Sequence, residues 1–149
     1  MTALYVCLGI ATAIAVLLFL FVAIQVEDWG RDLTTNYAAT DDNAADQRLR
    51  PIESRLSPAA LADGVEKAAG SLKNWRLQSR KDSAEAAMLH FVRTTPVLRF
   101  QDDIHVRIEP HSAGSRLSAD SRSRIGKGDL GQNPRNLREL LDAVRAATE

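Results

Sequence analysis

The sequence has a single cysteine, Cys7, and no excess of charge of either sign, with 19 Lys and Arg set against 19 Asp and Glu. One cysteine excludes an intramolecular disulfide and a structural zinc site built on paired cysteines. A net charge of +0 removes the whole-molecule electrostatic case for nucleic acid as the main partner. No internal repeat is present, and 149 residues allow one modest domain rather than a multidomain enzyme. The sharpest absence is local: no charged side chain precedes Glu27.

What fills that charge-free start is apolar. Residues 4–26 are interrupted only by Gly9, Thr12 and Gln25. As a helix this run spans about 34 Å at about 1.5 Å per residue, enough for a hydrocarbon core. Tyr5 and Trp29 lie near its two ends, where amphipathic rings settle among lipid headgroups. A cleaved signal peptide needs a basic start and a small-x-small cleavage site; the first is missing, and Val22-Ala23-Ile24 matches the second poorly. A buried soluble helix needs a polar face, also missing. The expectation is an uncleaved single-span anchor over residues 1–26 that contacts membrane lipid through residues 4–26, with Cys7 embedded as a small side chain. No Lys or Arg precedes the span and only Arg31 follows closely, so charge bias says little about orientation. The acidic flank (Glu27, Asp28, Arg31, Asp32) is compatible with export.

Residues 27–50 carry six acidic and three basic side chains and few large apolar ones, which predicts an acidic linker or stalk. A domain then occupies residues 51–149. Ser57-Pro58 signals a helix start, with Leu61, Val65, Ala68 and Leu72 forming one apolar face. Residues 75–79 and 87–94 read as strands, and Thr95-Pro96 interrupts them. Ile104, Val106 and Ile108 alternate with Asp103, His105, Arg107 and Glu109, a strand with one buried and one polar face. Residues 110–114 read as a turn and 115–125 as the returning strand, with Leu117, Ala119 and Ile125 on one parity and Arg116, Asp120, Arg122 and Arg124 on the other. A glycine-rich loop leads into Asn133-Pro134, a second cap-plus-proline start, followed by the stripe Leu137, Leu140, Leu141 and Val144. The predicted fold class is α+β: an antiparallel sheet with two helices on one face, preceded by a single transmembrane helix.

Gly126-x-Gly128-x-x-Gly131 formally matches a dinucleotide-binding fingerprint, but Pro134 opens the helix too late and no strand follows it. Free amides in a glycine loop at a helix N-terminus favour an anion, and Arg122, Arg124 and Lys127 lie nearby in sequence. Against it, Asp102, Asp103 and Asp129 can pair with the arginines or cap the loop, and such structural pairing is the commoner arrangement. Ser121 and Ser123 lack a nucleophile-elbow context. Asp103 and His105 on one strand face would give an acid–base or metal pair, although alternation alone explains both. His90 and His111 add no metal-ligand spacing. No catalytic residue, metal site or cofactor is predicted.

Phe100-Gln101-Asp102-Asp103-Ile104, Ser121-Arg122-Ser123-Arg124-Ile125-Gly126, Asp129-Leu130-Gly131 and Asn133-Pro134-Arg135 together resemble the DUF1499 family, whose members carry an F-x-D-D element followed by S-x-S-R-x-G-x-x-D-L-G-x-N. The resemblance covers residues 51 to the C-terminus. The chain differs in lacking the Cys-containing segment many members carry upstream, and in having Asp120 where they carry a basic residue. The resemblance implies a bacterial inner-membrane protein with a periplasmic C-terminal domain, and it supplies no reaction. The motif residues Asp102, Asp103, Ser121, Ser123, Arg124, Lys127, Asp129 and Asn133 are the binding candidates, for a partner protein in the membrane or an anionic ligand. The alternatives are an enzyme acting on a cell-envelope substrate and a structural accessory subunit of a membrane complex.

Overall fold

The computed structural model describes residues 2–26 and 28–148. The charge-free start forms helix α1 (Thr2–Gln25), and no part of Leu4–Phe21 is buried against the rest of the chain. It is the one helix among the described residues long and apolar enough to cross a membrane.

Six strands form one antiparallel sheet: β1 (Tyr37–Ala39), β2 (Ile52–Ser54), β3 (Trp75–Asp82), β4 (Ala87–Thr94), β5 (Gln101–His111) and β6 (Gly114–Ser123). The order β1-β6-β5-β4-β3 leaves β2 beside β1 on the outer edge of β6. There β1 pairs with residues 120–122 and β2 with residues 115–117. Two short segments thus cover an edge that would otherwise expose a row of unpaired backbone groups.

Side-chain alternation sorts the sheet into two unlike faces. Leu89 and Phe91 of β4, Ile104, Val106 and Ile108 of β5, and Leu117 and Ala119 of β6 all point to one side and are buried. Helices α3 (Pro58–Gly70) and α4 (Gln132–Thr148) both pack there, as expected. Ser57 caps α3 by accepting from the Ala60 amide. Leu137, Leu140, Leu141 and Val144 of α4 are fully buried, each contributing roughly 1.5–3 kcal/mol. Among the described residues no helix packs on the other face, which carries Met88, His90, Asp103, His105, Arg107 and Asp120.

Three expectations need correction. Residues 27–50 do not read out as a spacer: they contain helix α2 (Trp29–Thr34), strand β1 and a 3-10 turn at Gln47–Leu49, and Ala38 and Leu49 pack on the core. Among the described residues, several of the acidic side chains that suggested solvation have partners. Asp28 caps α2, Asp42 pairs with Arg116, and Asp46 bonds Arg48 and Arg138. Second, Pro110 lies within β5, opposite Ser115, and the turn is confined to Ser112-Ala113. Pairing with β4 stops at Ile108, so the proline meets no β4 partner. Third, β6 ends at Ser123. Ile125 lies beyond it at 67 % exposure, off the buried parity.

Candidate functional site

The motif residues fall on both sides of the sheet. On the helix-covered side Asp102, Ser121 and Asn133 are buried, joined by Asn136, which the sequence reading did not single out. Asn136 Nδ2 donates to Asp102 Oδ2 (2.9 Å) and to Ser121 Oγ (3.1 Å). Ser121 Oγ in turn donates to Asn133 Oδ1 (2.6 Å). Asn133 Nδ2 donates to Ser123 Oγ (3.0 Å) and to the Asp129 carboxylate. Asn133 is therefore not the helix cap its Asn-Pro context predicted. It sits inside α4 and ties the helix to β6. Ser121 lies under the helices, closed to any substrate.

The glycine loop has its own acceptors. The amides of Asp129 and Leu130 both donate to the Asp32 carbonyl at 3.0 Å. Asp129 Oδ1 accepts from the Gly131 amide (2.9 Å), and Oδ2 accepts from the Asn133 amide (2.8 Å). These donors, which an anion would need, are already bonded. The glycines permit a close crossing: a Cβ on Gly128 would lie 2.3 Å from the Leu33 carbonyl oxygen. Gly131, at φ +75°, sits where a Cβ would meet the Asp32 carboxylate at 2.7 Å. The loop is a clamp on α2. Lys127 is exposed on its outer side.

The remaining motif residues, Asp103 and Arg124, belong to the uncovered face. Antiparallel register places His90 of β4 opposite His105 of β5, and His105 opposite Asp120 of β6. The two imidazole rings stack with centroids 4.7 Å apart. Asp103 Oδ1 lies 2.7 Å from His90 Nε2, while His105 Nδ1 lies 3.3 Å from Asp120 Oδ2. So Asp103 and His105 share a face as predicted, but each pairs across to a neighbouring strand rather than with the other. Arg124 donates to both oxygens of Asp103, Nε at 2.8 Å and Nη2 at 2.7 Å, and also bonds Gln101. The Arg124 guanidinium, with His90 behind it, outweighs the partial burial of Asp103 and holds its carboxyl down at about 2. The same contact raises the Arg124 guanidinium above its ordinary value.

Each histidine gives one ring nitrogen to a carboxylate. The other nitrogen is an acceptor on a neutral ring and a donor on a protonated one. Beside the pair a concavity of about 540 Å3 is lined by Lys81 of the edge strand β3, Met88 and His90 of β4 and His105 and Arg107 of β5, with Tyr37 of β1 and Asp120 of β6 on the far side. That volume lies in the range of small-molecule sites. Among the described residues no group of three or more His, Cys, Asp or Glu side chains is placed to hold a metal ion. His90 is the residue sequence reasoning passed over. Its signal lay in the register, since closing strands 87–94 and 101–111 around residues 95–100 sets 90 against 105.

No curated protein matches the chain. A family model described as a protein of unknown function matches residues 30–144 and thus takes in α2 and β1 as well as the sheet and both packed helices. With the F-x-D-D and S-x-S-R elements on adjacent strands of that matched region, the chain belongs to the DUF1499 family, whose function is not known.

Proposed function

We propose that this is a single-span membrane protein, held in the bacterial inner membrane by α1, whose periplasmic α+β domain binds an anionic group on its uncovered sheet face. The tether is supported by the length and charge-free composition of α1, none of whose Leu4–Phe21 stretch is buried. The observation that carries the binding reading is the lining of the open concavity. Lys81, His90, His105 and Arg107 converge there, and Asp120 is the lone acidic side chain among the lining residues. The ligand site therefore moves from the glycine loop, whose amides bond to Asp32 and Asp129, to the opposite side of the sheet.

Calorimetric titration of the full chain in detergent micelles, with inorganic phosphate and with succinate as probes, tests this. Lys81→Ala and His105→Gln are each expected to weaken binding roughly fivefold, about 1 kcal/mol at a partly exposed site. Lys127→Ala is expected to leave it unchanged. Equal loss from Lys127→Ala would return the site to the loop. A second reading, an enzyme acting on an envelope substrate, is favoured by one contact. With Asp120 holding Nδ1 of His105, Nε2 is left as the nitrogen available for proton transfer. Hydrolysis of an ester or phosphoester substrate abolished by both His105→Gln and Asp120→Asn would select that reading.

A further inference from the structure

Among the described residues, seven of the ten large apolar side chains exposed outside α1 lie in α2, the 95–100 connection and the 124–131 loop. These three segments meet at one end of the domain. Arg124 N bonds Gln101 O (3.0 Å), Asn36 Nδ2 bonds Gly126 O (2.7 Å), and the Asp32 carbonyl holds the Asp129 and Leu130 amides. The most exposed of these side chains are Val97 at 86 %, Leu98 at 66 % and Ile125 at 67 %, with Phe100 half-exposed beside them. They are not on a slack loop. Thr95 N donates to Phe100 O (2.8 Å) and Phe100 N to Thr95 Oγ1 (2.9 Å), which closes the connection into a fixed prominence. At the opposite end of the sheet the turns carry Ser83, Ala84 and Glu85, and Ser112 and Ala113, small or charged residues suited to water.

This apolar end is also where α1 joins the domain. Helix α2 starts four residues after α1 finishes and is bolted to the 128–131 loop. Trp29 of α2 stacks on Phe19 of α1 with ring centroids 6.5 Å apart. Exposed cations Lys73, Arg99 and Lys127 share the end, set against Asp28 among the described residues. An apolar prominence ringed by cations, a few residues from a membrane-length helix, has the composition of a surface that sits at a lipid interface.

We propose that this end of the domain rests in the headgroup layer of the bilayer that α1 crosses. Val97, Leu98, Phe100 and Ile125 reach the acyl boundary, and Arg99 and Lys127 sit at phosphate level. The proposal rests on α1 being a membrane span, and it fixes the domain's posture, with the β3–β4 and β5–β6 turns pointing away from the membrane and the His90–His105 face standing beside it.

The test uses the full chain reconstituted in vesicles of phosphatidylglycerol and phosphatidylcholine, some lipids carrying a nitroxide near the headgroup. A fluorophore is placed at Leu98→Cys, Val97→Cys or Ser112→Cys in a Cys7→Ser background, and at native Cys7 in the parent chain. Quenching at 97 and 98 at least threefold stronger than at 112 is the expected result. No lipid quenching at 97 and 98 while the Cys7 probe is protected from aqueous iodide overturns the docking proposal and leaves the span standing. Iodide reaching Cys7 as well overturns both. Probes at 97 and 98 shielded from iodide yet unquenched by lipid nitroxide mean that a protein, such as a second copy, covers this end, which also overturns it.

Discussion

Asp103 and Asp102 are neighbours in sequence and opposites in environment. Asp103 faces the open side, bonded by Arg124 and His90, and its carboxyl is held down at about 2. It therefore ionises more readily in the folded protein than in the unfolded chain, where an aspartate sits at about 3.9. The resulting stabilisation is complete above that value and drains away as pH falls towards about 2. Urea midpoints measured at about pH 5 and about pH 2.5 are expected to fall further for the parent than for Asp103→Asn, which lacks this component. Asp102, by contrast, is 1 % exposed and takes its bond from Asn136. Asn136→Ala leaves that buried carboxylate and Ser121 Oγ each short of a donor. A loss of about 2 kcal/mol or more in denaturant unfolding is expected, a larger change than Lys127→Ala should give. The F-x-D-D element was visible in the sequence, and so was the alternation that sends its two aspartates to opposite faces. Which arginine or asparagine met each was not, because Asn136 and Arg124 arrive from 34 and 21 residues away.

At the scale of elements, both helices that pack on the sheet announced themselves through side-chain spacing, and strand 87–94 was readable to the residue. The short pieces between α1 and α3 were not. Strand β1 has three residues and contributes only Ala38 to the core's margin, so no apolar period marks it. Its order comes from backbone bonds to β6, including Thr40 N to Ala119 O (2.8 Å) and Ser123 N to Asn36 O (3.1 Å). The glycine loop was equally ambiguous, since free amides and amides bonded to a distant carbonyl look identical in sequence. Hydrogen exchange separates them. The amides of Asp129, Leu130 and Thr40 are expected to exchange at least a hundredfold more slowly than that of Lys127, with no further slowing on adding phosphate. Gly128→Ala, which drives a methyl group against the Leu33 carbonyl, is expected to cost about 2 kcal/mol and to release that protection together with α2.

For the molecule as a whole, the contrast between the two faces of the sheet organises everything else. One face is sealed by α3 and α4 over a continuous apolar core, and its polar residues are bonded into a brace. The other presents stacked histidines, two carboxylates and basic side chains around an open concavity. Family membership, the layered architecture and the apolar first helix follow from local sequence signals. The histidine pair needed the fold, because a period-two strand pattern gives each residue its face but leaves its cross-strand neighbour open. We propose the uncovered face as the binding surface. A chemical-shift map of the isotopically labelled full chain in micelles, titrated with inorganic phosphate, tests it most directly. Saturable changes centred on Lys81, His90, His105 and Arg107 are expected, with residues 126–131 unaffected. Changes centred on residues 126–131, with the two imidazoles silent, would contradict it.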